Sequence, residues 1–195
     1  MTIVERVKRI LLQPRQEWEV ISGETETISS LYKNYIIPLA AIGPIASIIG
    51  MSIVGIGMPF GPAFRVPIVT AVLSAVVHYV LGLAGIYALA LITDFLAPTF
   101  SGEKNIVRSL KLAAYSFTAA WVAAVFVIIP TLSFLAVSGL YSLYLLYEGI
   151  PVLMKSPREK ALVYTVAVAV SAVVVFVVIG SIGRILIPYP MGMPG

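Results

Sequence analysis

The stretch Ala161-Leu-Val-Tyr-Thr-Val-Ala-Val-Ala-Val-Ser-Ala-Val-Val-Val-Phe-Val-Val-Ile-Gly-Ser-Ile-Gly183 contains no charged residue. A bilayer-crossing helix needs about 20 predominantly apolar residues, so this stretch alone reads as a membrane span. Three more charge-free runs accompany it: Asn34–Phe64, Val66–Thr93 and Leu112–Tyr147. The whole chain is 59% hydrophobic and 11% charged, against about 25% charged residues in soluble domains. The fold class is therefore all-α: a polytopic integral membrane protein whose solvent is largely lipid.

Working outward, the first span is expected at Tyr35–Gly57, with Gly43 and Ser47, and Ala46 and Gly50, spaced four apart for close helix contact. Gly57-Met-Pro-Phe-Gly-Pro reads as a turn. The second span covers Pro67–Leu96. Pro130 splits the long neutral run into a third span, Leu112–Ile129, and a fourth, Thr131–Tyr147, joined by a very tight hairpin; a single kinked helix there would leave four spans. The fifth span is Ala161–Ile187. The organisation is a segment 1–34, a five-helix domain 35–187 and a short tail 188–195.

Residues 1–12 form an amphipathic helix: Ile3, Val4, Val7, Ile10 and Leu11 share a face, and Glu5, Arg6, Lys8 and Arg9 cover the other. Such a helix lies at the head groups of anionic lipids or packs on the protein's own cytosolic face. Pro14 ends it. Trp18, within the acidic stretch Glu17–Glu26, reads as an interfacial anchor.

Thirteen Lys and Arg residues set the orientation. With the N-terminus inside, Arg6, Lys8, Arg9, Arg15, Lys33, Lys104, Arg108, Lys111, Lys155, Arg158 and Lys160 are cytoplasmic, and only Arg65 and Arg184 fall outside. The positive-inside rule selects N-in, C-out in the cytoplasmic membrane. These bases sit in short loops beside apolar helices, so the net charge of +4 does not point to nucleic acid. The first apolar run starts too far along for a cleavable signal peptide.

Cysteine is absent, which removes disulfides and thiolate metal sites; no metal or cofactor is expected. Asp94 and Glu148 are the first candidates for chemistry, since carboxylates inside a membrane tend to be interior and functional. Asp94 lies about 40 Å along the helix from Pro67, which also fits a head-group position. Tyr141, Tyr144 and Glu148 share one face of the fourth span, flanked by Tyr147. Tyr141 lies about 10 Å deeper than Glu148, so an interior hydrogen-bonded cluster is expected, with an aromatic belt as the alternative. His78, the lone histidine, falls about 16 Å along the helix from Pro67, where a neutral imidazole bridging helices is expected, with Ser74 and Gly82 on its face. A short internal repeat is also visible: Asp94 with Pro98 against Glu148 with Pro151, and Lys111 with Tyr115 against Lys160 with Tyr164. Ser138-Gly139 resembles the serine turn of rhomboid proteases but lacks its leading glycine. Phosphate-binding motifs are absent.

Arg9-Ile-Leu-Leu-Gln-Pro14, then Glu17-Trp18, Ile21 and Tyr35-Ile-Ile-Pro38-Leu-Ala, resembles the start of the Yip domain (the Ypt/Rab-interacting protein family) in its prokaryotic branch. Tyr141-Ser-Leu-Tyr144-Leu-Leu-Tyr147-Glu-Gly149-Ile-Pro151-Val-Leu-Met154-Lys, with Pro157, Lys160-Ala-Leu and Tyr164-Thr, resembles that family's most recognisable stretch. The resemblance implies five spans, a cytosolic N-terminus and no catalytic residues. Eukaryotic members associate with prenylated Rab GTPases in vesicle traffic; their long hydrophilic N-terminal domain has no counterpart in the 34 residues before Tyr35. The expected function is a non-enzymatic membrane scaffold or adaptor, its partners the lipid bilayer and a second copy or another membrane protein. The alternative is a small transporter or channel using the polar cluster.

Overall fold

A computed structural model describes residues 1–58 and 61–187. Two short helices precede the membrane domain. Helix α1, Ile3–Leu12, starts at Thr2, whose side chain caps the Glu5 backbone while Glu5 reaches back to the Thr2 N–H, a reciprocal arrangement that satisfies two otherwise free donors. Helix α2, Pro14–Gly23, follows after a break at Gln13. Pro14 therefore does two things: it ends α1, as expected, and it opens a helix that the acidic composition did not announce. Its missing N–H and fixed φ suit the first helical position.

Among the described residues, five helical segments are long and apolar enough to cross a membrane: Ile28–Val54, Ile68–Phe100, Ile106–Ile128, Thr131–Leu153 and Arg158–Leu186. The first begins seven residues earlier than Tyr35 because Thr27 and Ser30 cap it reciprocally. It widens to π geometry at Tyr32–Ile36, just before Pro38, and again at Ile49–Val54; prolines and π-bulges are the usual sites of such irregularity. It ends at Gly55, whose φ of 87° favours glycine. The small residues have their expected use. Gly43 faces Ala124, and a β-carbon on Gly50 would overlap the Val127 carbonyl.

A two-stranded antiparallel hairpin, β1 Ile56–Met58 and β2 Gly61–Phe64, joins the first and second spans, so the expected turn is a small hairpin; Pro59 and Phe60 of that turn lie outside the described residues. The tail 188–195 also lies outside them, with Met191 and Met193. The second span is a continuous 29-residue α-helix, Ile68–Leu96. Asn105 caps the third, which passes into 3₁₀ geometry at Ala124–Ile128. At Pro130 the chain reverses, so the third and fourth spans are separate helices and the single kinked helix does not form. The fourth is 3₁₀ over Pro130–Leu140 and α-helical over Tyr141–Leu153. Gly139 permits its close approach to Ala120.

The fifth span packs on the second and on the α-helical half of the fourth, while the 3₁₀ half of the fourth leans on the third. Burial concentrates at the end of the bundle that carries α1, α2 and most of the basic residues. There Ile10, Trp18, Ile21, Leu31, Ile36, Leu110, Leu112, Leu145 and Ile150 are fully enclosed. Elsewhere Val163, Val166, Val170, Val173 and Val177 of the fifth span are exposed, as a helix facing hydrocarbon should be.

Candidate functional site

The strongest polar constellation lies where the N-terminal helices meet the bundle. Arg6 of α1 is buried. Its guanidinium donates to Glu17 of α2 and to Glu24 beyond it, and it lies 5.6 Å above the Tyr115 ring. Lys111 of the third span is also buried; its ammonium donates to the carbonyls of Ile21 at 2.9 Å and Glu24 at 2.5 Å, and stands 3.8 Å from the Glu26 carboxylate. The Tyr115 hydroxyl donates to Glu26 at 3.4 Å. Tyr35 and Thr118 hydroxyls meet at 2.7 Å beneath it. Unpaired buried charges are strongly unfavourable, so Arg6 and Lys111 hold α1, α2 and the third span together as a unit.

This cluster sets two cations against Glu17, Glu24 and Glu26. Burial, only partly opposed by Lys111, pushes the Glu26 carboxyl above its ordinary value.

Trp18 is fully buried and meets Tyr115 edge-on at 6.3 Å. It is a core residue, not an interfacial anchor, because Gly149 of the fourth span leaves room for its indole. Arg6 and Lys111 likewise differ from their expected roles as a solvated helix face and a loop base. The sequence offers only a faint signal for this site: Lys111 borders the charge-free run Leu112–Tyr147, and five carboxylates precede the first span.

Glu148 is 2% exposed. Arg15 donates to one of its oxygens at 3.0 Å, and Arg158 stands 3.8 Å from the other. The Glu148 bond raises the affinity of the Arg15 guanidinium for its proton. Asp94 is half-buried and accepts from Ser109 at 3.4 Å. Among the described residues the two carboxylates share no partner, so they do not form one site there. Tyr141 and Tyr144 are 37% and 38% exposed, on an outward face of the fourth span; the expected interior cluster does not form. Their rings pack at 5.3 Å, and the Tyr141 hydroxyl donates to the Leu11 carbonyl of α1. Tyr147 is half-buried.

His78 donates from Nδ1 to the Ser74 carbonyl at 2.8 Å, and a β-carbon on Gly183 would lie 2.6 Å from its Nε2. The imidazole therefore fills a notch in the fifth span. It also borders a cavity of about 450 Å³ between the first, second, third and fifth spans, shared with Ser47, Ser74 and Trp121. None of Asp94, Tyr141, Tyr144, Tyr147 or Glu148 reaches that cavity. Ser138 bonds the Leu135 carbonyl, away from His78. The suggested repeat is not echoed in contacts: Lys111 is buried among α2 carbonyls, whereas Lys160 is exposed on Ser101.

The Yip1 domain model matches residues 8–179. The chain belongs to the Yip1 domain family. Among Yip1 domain proteins it is similar to the "Inner membrane protein YohC" of Escherichia coli K12, 27% identical over 180 residues that cover 90% of this chain and 92% of the relative. The protein of the same name in Escherichia coli O6:H1 matches to the same extent. No solved structure matches the chain. The family match and the apolar helices make this Yip1 domain chain a multi-pass membrane protein of the cell membrane. The matched range takes in α2, Lys111 and the Tyr141–Met154 stretch, which here supplies Glu148 for Arg15 and Gly149 for Trp18.

Proposed function

We propose that the protein is a non-enzymatic membrane scaffold whose cytosolic end is the basic end of the bundle, with the N-terminus inside. The observation that carries this reading is the docking of α1 and α2 into the bundle by Arg6, Lys111 and Trp18. Charged side chains there are spent on each other, which builds a rigid platform in place of an open polar path. The platform leaves Val4, Lys8, Arg9 and Leu12 exposed on α1, a mixed apolar and basic face suited to the head-group layer or to a partner. That partner is a second copy or another membrane protein. The distribution of lysine and arginine supports the orientation.

Site-specific photo-crosslinking in cells tests this. A photoreactive residue at Val4 or Leu12 is expected to give a discrete crosslinked protein band or a homodimer, whereas one at lipid-facing Val173 gives none. Equal, diffuse crosslinking at all three positions overturns the scaffold reading. Because the chain has no cysteine, single cysteines at Ser22 and Arg65 report orientation. Ser22 is expected to be shielded from an impermeant maleimide in intact cells and Arg65 to be labelled.

The cavity beside His78 favours a second reading, transport or binding of a small apolar solute. Its test is uptake into proteoliposomes and thermal shift against a solute panel, both of which the scaffold reading expects to be flat.

A further inference from the structure

The fourth span changes geometry at Tyr141. Its α-helical half lies along the fifth span, but its 3₁₀ half turns toward the third. The two spans therefore splay, and a groove of about 610 Å³ opens between them toward the surrounding membrane. Ala113 and Phe117 of the third span form its floor, Leu143 and Leu146 one wall, and Val170 and Val173 the other. Almost everything in it is hydrocarbon, so water gains nothing by entering, whereas a flexible hydrocarbon chain restores the dispersion contacts that an empty groove forfeits.

The same seam leads to the basic end. Arg158 begins the fifth span, about 15 Å along the helix from Val168 at the groove. Arg158 and Arg15 both reach toward the single carboxylate of Glu148, which is buried. Their own side chains are 65% and 71% exposed. Glu159 and Lys160, next in sequence, offset each other. Two cations on one carboxylate leave a net positive charge two residues along the fourth span from Leu146, which lines the groove, and Glu148 and Tyr144 engage only a few of the ten guanidinium N–H donors.

We propose that this seam binds an anionic phospholipid, one acyl chain lying in the groove and the phosphate resting on Arg15 and Arg158. The positive charge of Arg15 and Arg158 and the hydrocarbon walls of the groove are complementary to the two ends of one such molecule, about 15 Å apart along the fifth span. Arginine suits this role because its fork matches phosphate oxygens in pairs. The site needs no scaffold role, but it does need α2 docked on the bundle, because Arg15 belongs to α2.

Native mass spectrometry of the full-length protein, released from detergent with dioleoyl phosphatidylglycerol or dioleoyl phosphatidylcholine, tests it. The chains are identical and only the head-group charge differs. The expected result is one phosphatidylglycerol retained preferentially, with Arg158→Gln and Arg15→Gln each lowering retention about fivefold, the effect of one basic residue at an anionic surface. Arg158→Lys restores part of it. Val173→Trp, at a position already exposed to lipid, fills the groove without entering the core and is expected to abolish the preference. Equal retention of the two lipids by the parent protein overturns the proposal, as does a preference untouched by Val173→Trp. Displacement of the lipid by millimolar inorganic phosphate or glycerol phosphate identifies a phosphate site with no use for the chain, and overturns it too.

Discussion

A β-carbon on Gly149 of the fourth span would sit 2.7 Å from two ring carbons of Trp18. The indole thus occupies space that only glycine at position 149 leaves free, and the N-terminal segment and the membrane domain share one core at that point. Gly149→Ala also meets Leu112 at 2.6 Å, so neither neighbour offers an easy retreat. Overpacking of this kind costs about 1–3 kcal/mol. Gly149→Ala is expected to lower the melting temperature in detergent and to shift tryptophan emission to the red as Trp18 leaves its pocket. Gly82→Ala, where nothing lies within 4 Å, is the matched control and is expected to change neither.

Lys111 is 3% exposed, and its ammonium is bonded to the carbonyls of Ile21 and Glu24. Lys111→Met leaves those carbonyls unpaired, at about 1–3 kcal/mol for each polar group left unsatisfied, and takes the nearest cation away from the half-buried Glu26 carboxylate. Adding Glu26→Gln to Lys111→Met is expected to recover part of the loss. Unfolding by graded addition of sodium dodecyl sulfate measures both variants; purely additive effects would separate Glu26 from Lys111.

Glu26 and Glu103 respond to pH with opposite signs. Glu26 has its carboxyl raised from 4.5 by burial, so the folded protein holds that proton more tightly than the unfolded chain. Its contribution is greatest when protonated and falls as pH rises from about 4.5 through the folded value. Glu103 is lowered from 4.5, chiefly by the hydrogen bond from Lys155. Its contribution is present above 4.5 and disappears as pH falls, and it is small because the group is exposed. Melting temperature recorded across mildly acidic pH is therefore expected to decline less steeply with rising pH in Glu26→Gln than in the parent.

Arg15 is the outer clasp of the N-terminal segment. Glu148→Gln keeps the shape of the side chain and removes the charge that holds Arg15 at 3.0 Å. Limited trypsin digestion is expected to cut at Arg15 faster in this variant, and hydrogen exchange in α2 to rise, while the fifth span stays protected. Unchanged cleavage would show that Trp18 and Arg6 suffice to hold the segment.

The five spans were legible in the sequence because the signal is long: four charge-free runs and one Pro130 define them, and lipid enforces internal hydrogen bonding. Boundaries were less so. Thr27–Ser30 capping extends the first span by local side-chain bonds that hydropathy does not register. The docking of Arg6, Lys111 and Trp18 was not legible, since each has an ordinary surface role in isolation and only long-range contacts bury it. Tyr141 and Tyr144 misled for a related reason. Helical spacing put them on one face with Glu148, but α2 packs on this helix and covers Glu148 through Arg15 while Tyr141 and Tyr144 stay exposed, a long-range contact that spacing does not register.

The central claim is that the N-terminal segment is part of the bundle and does not float at the head groups. Trp121→Phe leaves Trp18 as the chain's single tryptophan. In nanodiscs, its fluorescence is expected to be blue and resistant both to aqueous acrylamide and to lipids carrying a nitroxide near the head group. Strong quenching by those lipids, with red emission, would place Trp18 at the membrane interface and contradict the account.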